Sequence, residues 1–201
     1  MRDYSAFISE YQGRAAPGDG SGDGALGGGG VYPASVNRVG DGLVFMVDEG
    51  DRDGLVSTVR EAGFLGEQRG GYVLAPLNHH SADTLRRLFP FTRPAPVLSR
   101  PQSCGVGDRL GIAGDGHLRV FARCDVAPVL AQQSIRELTL TGRTFDDVID
   151  AATFAVFRAG YQKGFGADGD HLKTFEHIQS ALDAGCTMIT LDCSEHIHAG
   201  G

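Results

Sequence analysis

Residues 164–191, GFGADGDHLKTFEHIQSALDAGCTMITL, contain the local order that decides the fold. An apolar start leads to the polar cluster 168–171, and Thr174 then supplies the hydroxyl of a helix N-cap. Gly185 is placed to end that helix, and the apolar run 188–191 has the length of a strand. This stretch therefore predicts the order strand, polar cluster, helix, strand.

The same order of strands, polar clusters and helices continues on both sides of this stretch. Residues 109–113 and 127–131 are predicted strands, and Thr144 begins a predicted helix with acidic residues in its first turn. A second polar cluster, at 192–198, follows the last predicted strand. Polar clusters after strands are typical of a (β/α) barrel, although an open doubly wound sheet has the same local pattern.

The number of predicted strands is too small for a closed barrel. At most four follow residue 105, whereas a barrel needs eight strands and about 250 residues. We therefore expect an α/β protein in which residues 101–201 are the first β/α units of an incomplete TIM-like (β/α) barrel. The chain is then an N-terminal fragment of a larger enzyme, with a small α/β domain at residues 1–100.

This N-terminal region has a different composition. Half of residues 13–30 are glycine, which predicts a flexible linker or a surface insertion. Residues 43–47 have strand length, and residues 54–62 place apolar side chains on one helical face.

The end of the region contains a second predicted helix, capped by Ser81. His79 and His80 precede it with no carboxylate nearby in the sequence, so we expect them at a solvated surface. Three prolines in residues 93–101 predict a joint between the two domains.

Composition excludes several classes of protein. The formal net charge of −7 disfavours nucleic acid and anionic membranes as partners, since both attract basic surfaces. No apolar run approaches the 18 residues of a membrane span, and the N-terminus lacks the pattern of a secretory signal. Four scattered cysteines indicate reduced thiols in a cytoplasmic protein. The sequence predicts no oligomeric state.

Asp170 and His171 are the strongest candidates for chemistry. Imidazole is a good ligand for Zn²⁺, Mn²⁺ or Ni²⁺, and a carboxylate beside it can act as a general base. Lys173 follows at once. The structural alternative is a capping aspartate with an incidental histidine.

Two further polar segments are weaker candidates. Residues 192–198 combine Asp192 with an E-H-x-H sequence that suits a metal, or they are a solvated tail. Residues 132–137 include Gln133, Ser134 and Arg136, which suit a polyhydroxylated ligand with a carboxylate, or form an ordinary polar loop.

These segments together resemble the tagaturonate epimerase family, whose members interconvert D-tagaturonate and D-fructuronate on a metal-dependent TIM-like barrel. The resemblance runs in order over residues 103–197, while residues 1–100 resemble the family only in general layout. Its motifs are GVGDRLGIA (105–113), PVLAQQSIRELTLTGRT (128–144), ATFAVFRAGYQKGFGADGDHLKT (152–174) and GCTMITLDCSEHI (185–197).

The resemblance implies roles for particular residues. Asp170 corresponds to the family's proton acceptor, His171 to a ligand of the divalent cation, and Lys173 to a contact of the small hexuronate substrate. The family's proton donor and other metal ligands lie farther downstream than residue 201. Relatives tend to have D-P-S-D-H where this chain has D-C-S-E-H at residues 192–196, so Glu195 is one methylene longer than the family's residue.

Two alternatives remain open at this stage. The clusters also suit a metal-dependent aldolase or hydrolase of the TIM-barrel class. A truncated product without a complete catalytic site is the non-enzymatic alternative.

Overall fold

Two β-sheets, one antiparallel and one parallel, form the framework of the computed structural model, which describes residues 2–12, 28–108 and 110–197. The antiparallel sheet has the order β1-β2-β3-β5-β4 and the parallel sheet the order β6-β7-β8-β9. The strands are β1 Asn37–Val39, β2 Gly42–Asp48, β3 Asp53–Ser57, β4 Glu67–Arg69, β5 Tyr72–Pro76, β6 Ser103–Gly105, β7 Ala127–Ser134, β8 Gly166–Leu172 and β9 Met188–Leu191. The α-helices are α1 Ser5–Tyr11, α2 His79–Leu88, α3 Gly114–Phe121, α4 Ile135–Thr141, α5 Phe145–Ala159 and α6 Phe175–Ala184. The mixed α/β class is confirmed.

The parallel sheet follows the predicted rhythm closely. β7 begins at Ala127 as expected and continues three residues beyond the predicted end, and β9 has the predicted bounds. The side chain of Thr144 caps α5 in a capping box with Asp147, and the side chain of Thr174 caps α6. Gly185 ends α6 in the left-handed conformation, with φ of 102°. Local capping chemistry thus sets these helix boundaries.

The strand predicted at 109–113 is wrong. The described residues 110–113 form no strand, and the first strand of the sheet is β6 instead. The carboxylate of Asp108 accepts hydrogen bonds from the backbone N–H groups of Gly111, Ile112 and Ala113. This loop satisfies the donors that a strand would use, and it leads into α3.

The helix predicted at 54–62 is also wrong, since β3 and a 3₁₀ turn at Arg60–Ala62 occupy that segment. Leu55 packs into the core between the antiparallel sheet and α2, while Val56 packs into the core on the opposite face. A strand buried on both faces has consecutive apolar residues, and here their spacing imitated a helical face.

α5, a helix of 15 residues, joins the two sheets through its two faces. Within the described part of the chain, no helix is long and apolar enough to cross a membrane. Ile149 and Val156 lie in the core beneath the parallel sheet. Phe154 and Phe157 lie in the core beneath the antiparallel sheet, where the Phe157 ring packs 5.2 Å from that of Phe89. The two sheets are therefore parts of one packed body.

The predicted boundary near residue 100 falls between the antiparallel and the parallel sheet in the chain. The residues on its two sides nevertheless pack against each other. Within the proline-rich segment 93–101, Ala95 donates a backbone hydrogen bond to Phe165, and Val97 is buried against the start of β7. This segment is packed against the parallel sheet. The linker or insertion predicted at residues 13–30 lies mostly at residues 13–27, which are outside the described residues. Residues 28–30 form a 3₁₀ turn.

His79 lies at the surface, as predicted, and pairs there with a carboxylate that is distant in the sequence. His79 begins α2, and its Nδ1 lies 2.9 Å from Oδ2 of Asp150, a buried carboxylate of α5 that also bonds Arg86 at 2.7 Å. Burial raises the pKa of Asp150, although the hydrogen bonds from Arg86 and His79 favour its charged form. The hydrogen bond and charge of Asp150 raise the pKa of His79. This ion pair links α2 to α5 across the boundary between the two sheets.

We expect His79→Gln to destabilise the protein at mildly acidic pH only. Because the folded protein raises the pKa of His79 above its unfolded value of about 6.5, the stabilisation is complete below that pH and disappears as pH rises through the higher folded value. The His79 side chain is 55% exposed, so we expect less than about 1 kcal/mol. Urea unfolding of wild type, His79→Gln and the control His80→Gln across pH 5.5–8.5 measures this difference. A His79→Gln effect that grows with pH would contradict the assignment.

Candidate active site

The cavity that we identify as the candidate site lies at the carboxyl ends of β7, β8 and β9. Ser134 ends β7 and pairs in register with Asp170 of β8, and Asp192 follows β9 directly. The cavity holds about 600 Å³. Its lining residues are Ser134, Ile135, Arg136, Glu137, Leu140, Asp170, His171, Lys173, His177 and Asp192. Five of the six residues predicted from sequence, all except Gln133, therefore line one cavity.

Asp170 and His171 contact each other although they are neighbours in a strand. The polar cluster belongs to the end of β8 itself and does not follow the strand as predicted. His171 has a φ of 55°, the only positive φ among the described non-glycine residues, at an irregularity in the pairing of β8 with β9. Adjacent side chains of a regular strand point to opposite sides, and the left-handed conformation of His171 makes the turn that brings these two together. As a result Nδ1 of His171 lies 2.8 Å from Oδ1 of Asp170.

This pair has the chemistry of a proton acceptor beside an imidazole. The hydrogen bond and the charge of Asp170 raise the pKa of His171. The side chain of Asp170 is 19% exposed and that of His171 is 60% exposed. Both side chains are thus accessible to a molecule in the cavity.

Lys173 makes ion pairs at the edge of the cavity. Its Nζ lies 2.5 Å from Oε1 of Glu195 and 3.5 Å from Oδ2 of Asp192. Hydrogen bonds from Ser194, together with Lys173, lower the pKa of Asp192 to about 2. The second polar cluster therefore meets the first one through Lys173. His196 is exposed, and His198 lies outside the described residues.

Arg136 is the cation of the cavity wall that has no acidic partner among the described residues. It stands in the first turn of α4, is exposed, and makes no ion pair with any residue that the structure describes. His171 and Lys173, by contrast, are both paired with carboxylates. Arg136 therefore remains available to an anionic group.

Ser134 and Gln133 have structural contacts. The Ser134 side chain caps α4 in a capping box with Glu137, and Ser134 still lines the cavity. Gln133 is 1% exposed and its Oε1 accepts a hydrogen bond from Arg143, on the helix-covered side of the sheet. Because alternate residues of a strand face opposite sides, Gln133 points away from the cavity that Ser134 lines.

The side chain facing the same way as Ser134 is Gln132, which the sequence analysis did not select. Its Nε2 donates to Oδ2 of Asp168 at 3.0 Å, and the hydroxyl of Thr190 donates to the same oxygen at 2.9 Å. Burial raises the pKa of Asp168. Strand parity is the signal that could have found these residues, since each lies two positions before a cavity residue in the chain. His177, also missed, lines the cavity from α6.

The described residues do not form a complete metal site. His171 is exposed and has a ligating imidazole, but no group of three or more His, Cys, Asp or Glu side chains within residues 2–12, 28–108 and 110–197 is placed to hold an ion. A protein metal site usually takes three or more protein ligands. We therefore assign no chemical step to a metal.

Comparison with known proteins identifies the family. The family described as tagaturonate epimerase matches residues 32–200. The tagaturonate/fructuronate epimerase of Thermotoga maritima is 47% identical over 120 residues, which cover 60% of this chain and 25% of that protein.

Solved structures agree with this match. The glycerol-complexed fructuronate-tagaturonate epimerase of Cohnella laeviribosi is 46% identical and superposes with a TM-score of 0.81, over 85% of this chain and 36% of that one. The native structure of the same enzyme is 47% identical with the same TM-score and coverage. The chain thus spans about a quarter to a third of the length of these relatives. The family match and the superposition over 85% of the chain lead to one conclusion: the chain belongs to the tagaturonate epimerase family.

Proposed function

We propose that the cavity at the ends of β7, β8 and β9 binds a ketohexuronate and that the protein interconverts D-tagaturonate and D-fructuronate. One observation carries the proposal: Asp170, its imidazole partner His171 and the cation Arg136 line one cavity, and within the described part of the chain Arg136 has no acidic partner. The names of the relatives support this choice of substrate. Cytoplasmic location is part of the proposal, supported by four free cysteines.

We also propose that the parallel sheet belongs to a TIM-like barrel. The four strands are parallel, consecutive and separated by helices, and the cavity lies at their carboxyl ends, where barrel enzymes carry their catalytic residues. An open doubly wound sheet is the alternative architecture. The order of the strands in the sheet, which follows the order of the chain without reversal, favours the barrel.

In this mechanism Asp170 accepts the proton that starts the reaction. In one route the proton leaves carbon, and its electron pair moves toward the neighbouring carbonyl to give an enediolate. In the other route the proton leaves a hydroxyl, its electron pair forms a new carbonyl, and the adjacent carbon–carbon bond breaks in retro-aldol fashion. The electron pair of that bond moves into the original carbonyl and gives an enediolate. If the proton is added back, or the carbon–carbon bond forms again, on the opposite face of the reacting carbon, the configuration of that carbon is inverted. The two acids differ at the carbon β to the ketone, so the retro-aldol route is the one that inverts the required centre.

We propose His171 as one ligand of a divalent cation, Zn²⁺, Mn²⁺ or Ni²⁺, because imidazole is a good ligand for all three. The described residues supply no complete ligand set with it. The proposed roles of Asp170 and Arg136 do not depend on the ion.

Arg136 is the residue that we assign to the carboxylate of the substrate. Its guanidinium can form two parallel hydrogen bonds with a carboxylate, which lysine cannot. Lys173, which is held between Asp192 and Glu195, is the candidate for substrate hydroxyls. Ser134 remains a candidate at the wall, whereas Gln133 would act only through Arg143.

We expect Arg136→Ala to raise KM about 10–100-fold and to change kcat much less, because a charged hydrogen-bonded contact contributes about 1.5–3 kcal/mol to binding. Arg136→Lys should lose less, since the charge remains. Arg123→Ala removes an exposed arginine outside the cavity and is the matched control. Steady-state kinetics on D-tagaturonate measure the effect. A KM within threefold of wild type would remove Arg136 from the substrate site.

A product assay on the purified protein, expressed with any sequence that follows residue 201 in its gene, tests the proposed function itself. Incubation with D-tagaturonate, followed by NMR of the mixture, should give D-fructuronate as the only product, and the reverse incubation should reach the same ratio of the two acids. Smaller fragments accumulating in place of the epimer would indicate the aldolase or hydrolase alternative. No conversion in either direction would contradict the proposed activity.

A further inference from the structure

The inner face of the parallel sheet is built in three layers. Alternate residues of a strand share a face, so β8 and β9 contribute to the layers in steps of two residues. In β7 an irregularity of the pairing between Val129 and Ala131 lengthens the first step to three residues. The lowest layer is apolar, with Val97 packed on Val129 and Met188. The top layer, formed by Ser134, Asp170 and Asp192, lines the cavity.

The middle layer is polar and contains one residue from each of three strands. It consists of Gln132 of β7, Asp168 of β8 and Thr190 of β9, each two positions before its counterpart in the top layer. Gly105 of β6 borders the layer, since a Cβ there would lie 2.5 Å from Oε1 of Gln132. Four adjacent strands are therefore fitted to each other at this level.

Asp168 is the centre of this layer, and the burial of its carboxyl group is energetically unfavourable. It is 1% exposed, and none of the partners that it hydrogen-bonds carries a charge. Its Oδ2 accepts from Gln132 at 3.0 Å and from Thr190 at 2.9 Å, and Oδ1 lies 3.1 Å from the same hydroxyl. A buried carboxyl group without a cation costs stability, so an uncharged residue of the same shape would be tolerated better.

From this geometry we propose that Asp168 is a positioning residue for the reaction proposed above. Its two hydrogen bonds hold β7 and β9 against β8 one layer below the cavity. They thereby fix the spacing of Ser134, Asp170 and Asp192, including the irregular turn that brings His171 to Asp170. The expected change in kcat rests on the proposed function. The expected effect on the spacing of the cavity residues rests on the hydrogen bonds of the middle layer alone.

Asp168→Asn is the decisive variant, because it keeps the shape and removes one acceptor. Gln132 can reverse its amide to accept from the new Asn amide, so the layer stays filled but its contacts are redistributed. We expect kcat to fall about tenfold or more, since small displacements of reacting groups are costly, with KM within about threefold. We expect the melting temperature to be unchanged or higher, as is common when a functional buried charge is neutralised.

Thr190→Val and Thr190→Ser form the matched pair. Valine keeps the size of threonine and removes the hydroxyl donor, so kcat should fall; serine keeps the donor, so kcat should stay within about twofold of wild type. A residue that only stabilises the fold would behave in the opposite way, with a lower melting temperature in Asp168→Asn and wild-type kcat.

A second readout does not depend on turnover. The imidazole ¹⁵N signals of His171, recorded at one pH, report on its contact with Asp170. We expect them to move in Asp168→Asn and Thr190→Val and to remain in place in Thr190→Ser. If wild type does not epimerise D-tagaturonate, the proposed function fails and these signals still decide the inference. If Asp168→Asn leaves both kcat and the His171 signals as in wild type, Asp168 does not position the site.

Discussion

Asp170→Asn should lower the rate of epimerisation about 10²–10⁴-fold, the usual loss when a positioned general base is removed. Asparagine has the size of aspartate, and its side-chain oxygen can still accept a hydrogen bond from His171, which lies 2.8 Å away in the wild type. The variant should therefore fold normally and keep the shape of the cavity. Initial rates on D-tagaturonate and on D-fructuronate both measure the loss.

The control for this variant is Asp51→Asn, in an exposed turn of the antiparallel sheet. It removes the same charge far from the cavity and should keep full activity. If Asp170→Asn retains more than about a tenth of the wild-type rate, less than the lower limit for a base, the proton acceptor is another residue.

Phe157→Ala should have the largest effect on stability. Phe157 is fully buried and packs against Phe89 and Phe91, so α5 loses its main contact with the core of the antiparallel sheet. Truncation of a buried phenylalanine costs about 3–5 kcal/mol. For a chain of this length each kcal/mol corresponds to about 2–4 °C, which gives a fall in Tm of roughly 6–20 °C. Calorimetry or circular dichroism melting measures it.

Phe175→Ala is the matched control, because that ring is 87% exposed at the start of α6. Its Tm should stay within about 2 °C of wild type. Equal Tm values for the two variants would show that α5 does not join the sheets through Phe157.

Local signals explain most of what the sequence predicted correctly about the fold. Thr144, Thr174 and Gly185 mark helix ends by capping chemistry that needs only neighbouring residues, and the structure confirms them. The failure at residues 54–62 depended on distant contacts, whereas the failure at 109–113 came from the local hydrogen bonds of Asp108. The spacing of apolar residues around Val56 predicts a helix, whereas the structure covers both faces of this strand with core residues.

The site was predictable to the same extent. Asp170, His171 and Arg136 were selected by their chemistry, and parallel strands bring them to one cavity. Gln133 and Gln132 are chemically identical, so only the parity of β7 separates the one facing the cavity from the one facing the helices. Asp168 was not selected because its importance arises from neighbours on two other strands.

The central claim is that the cavity between the ends of β7, β8 and β9 is the hexuronate site, and the location of a bound substrate tests it most directly. A crystal structure of Asp170→Asn with D-tagaturonate captures the acid with turnover slowed. We predict that the sugar acid occupies this cavity, with its carboxylate about 3 Å from the guanidinium of Arg136 and its reacting centre facing residue 170. A ligand bound elsewhere, or one in the cavity whose carboxylate points away from Arg136, would contradict the account.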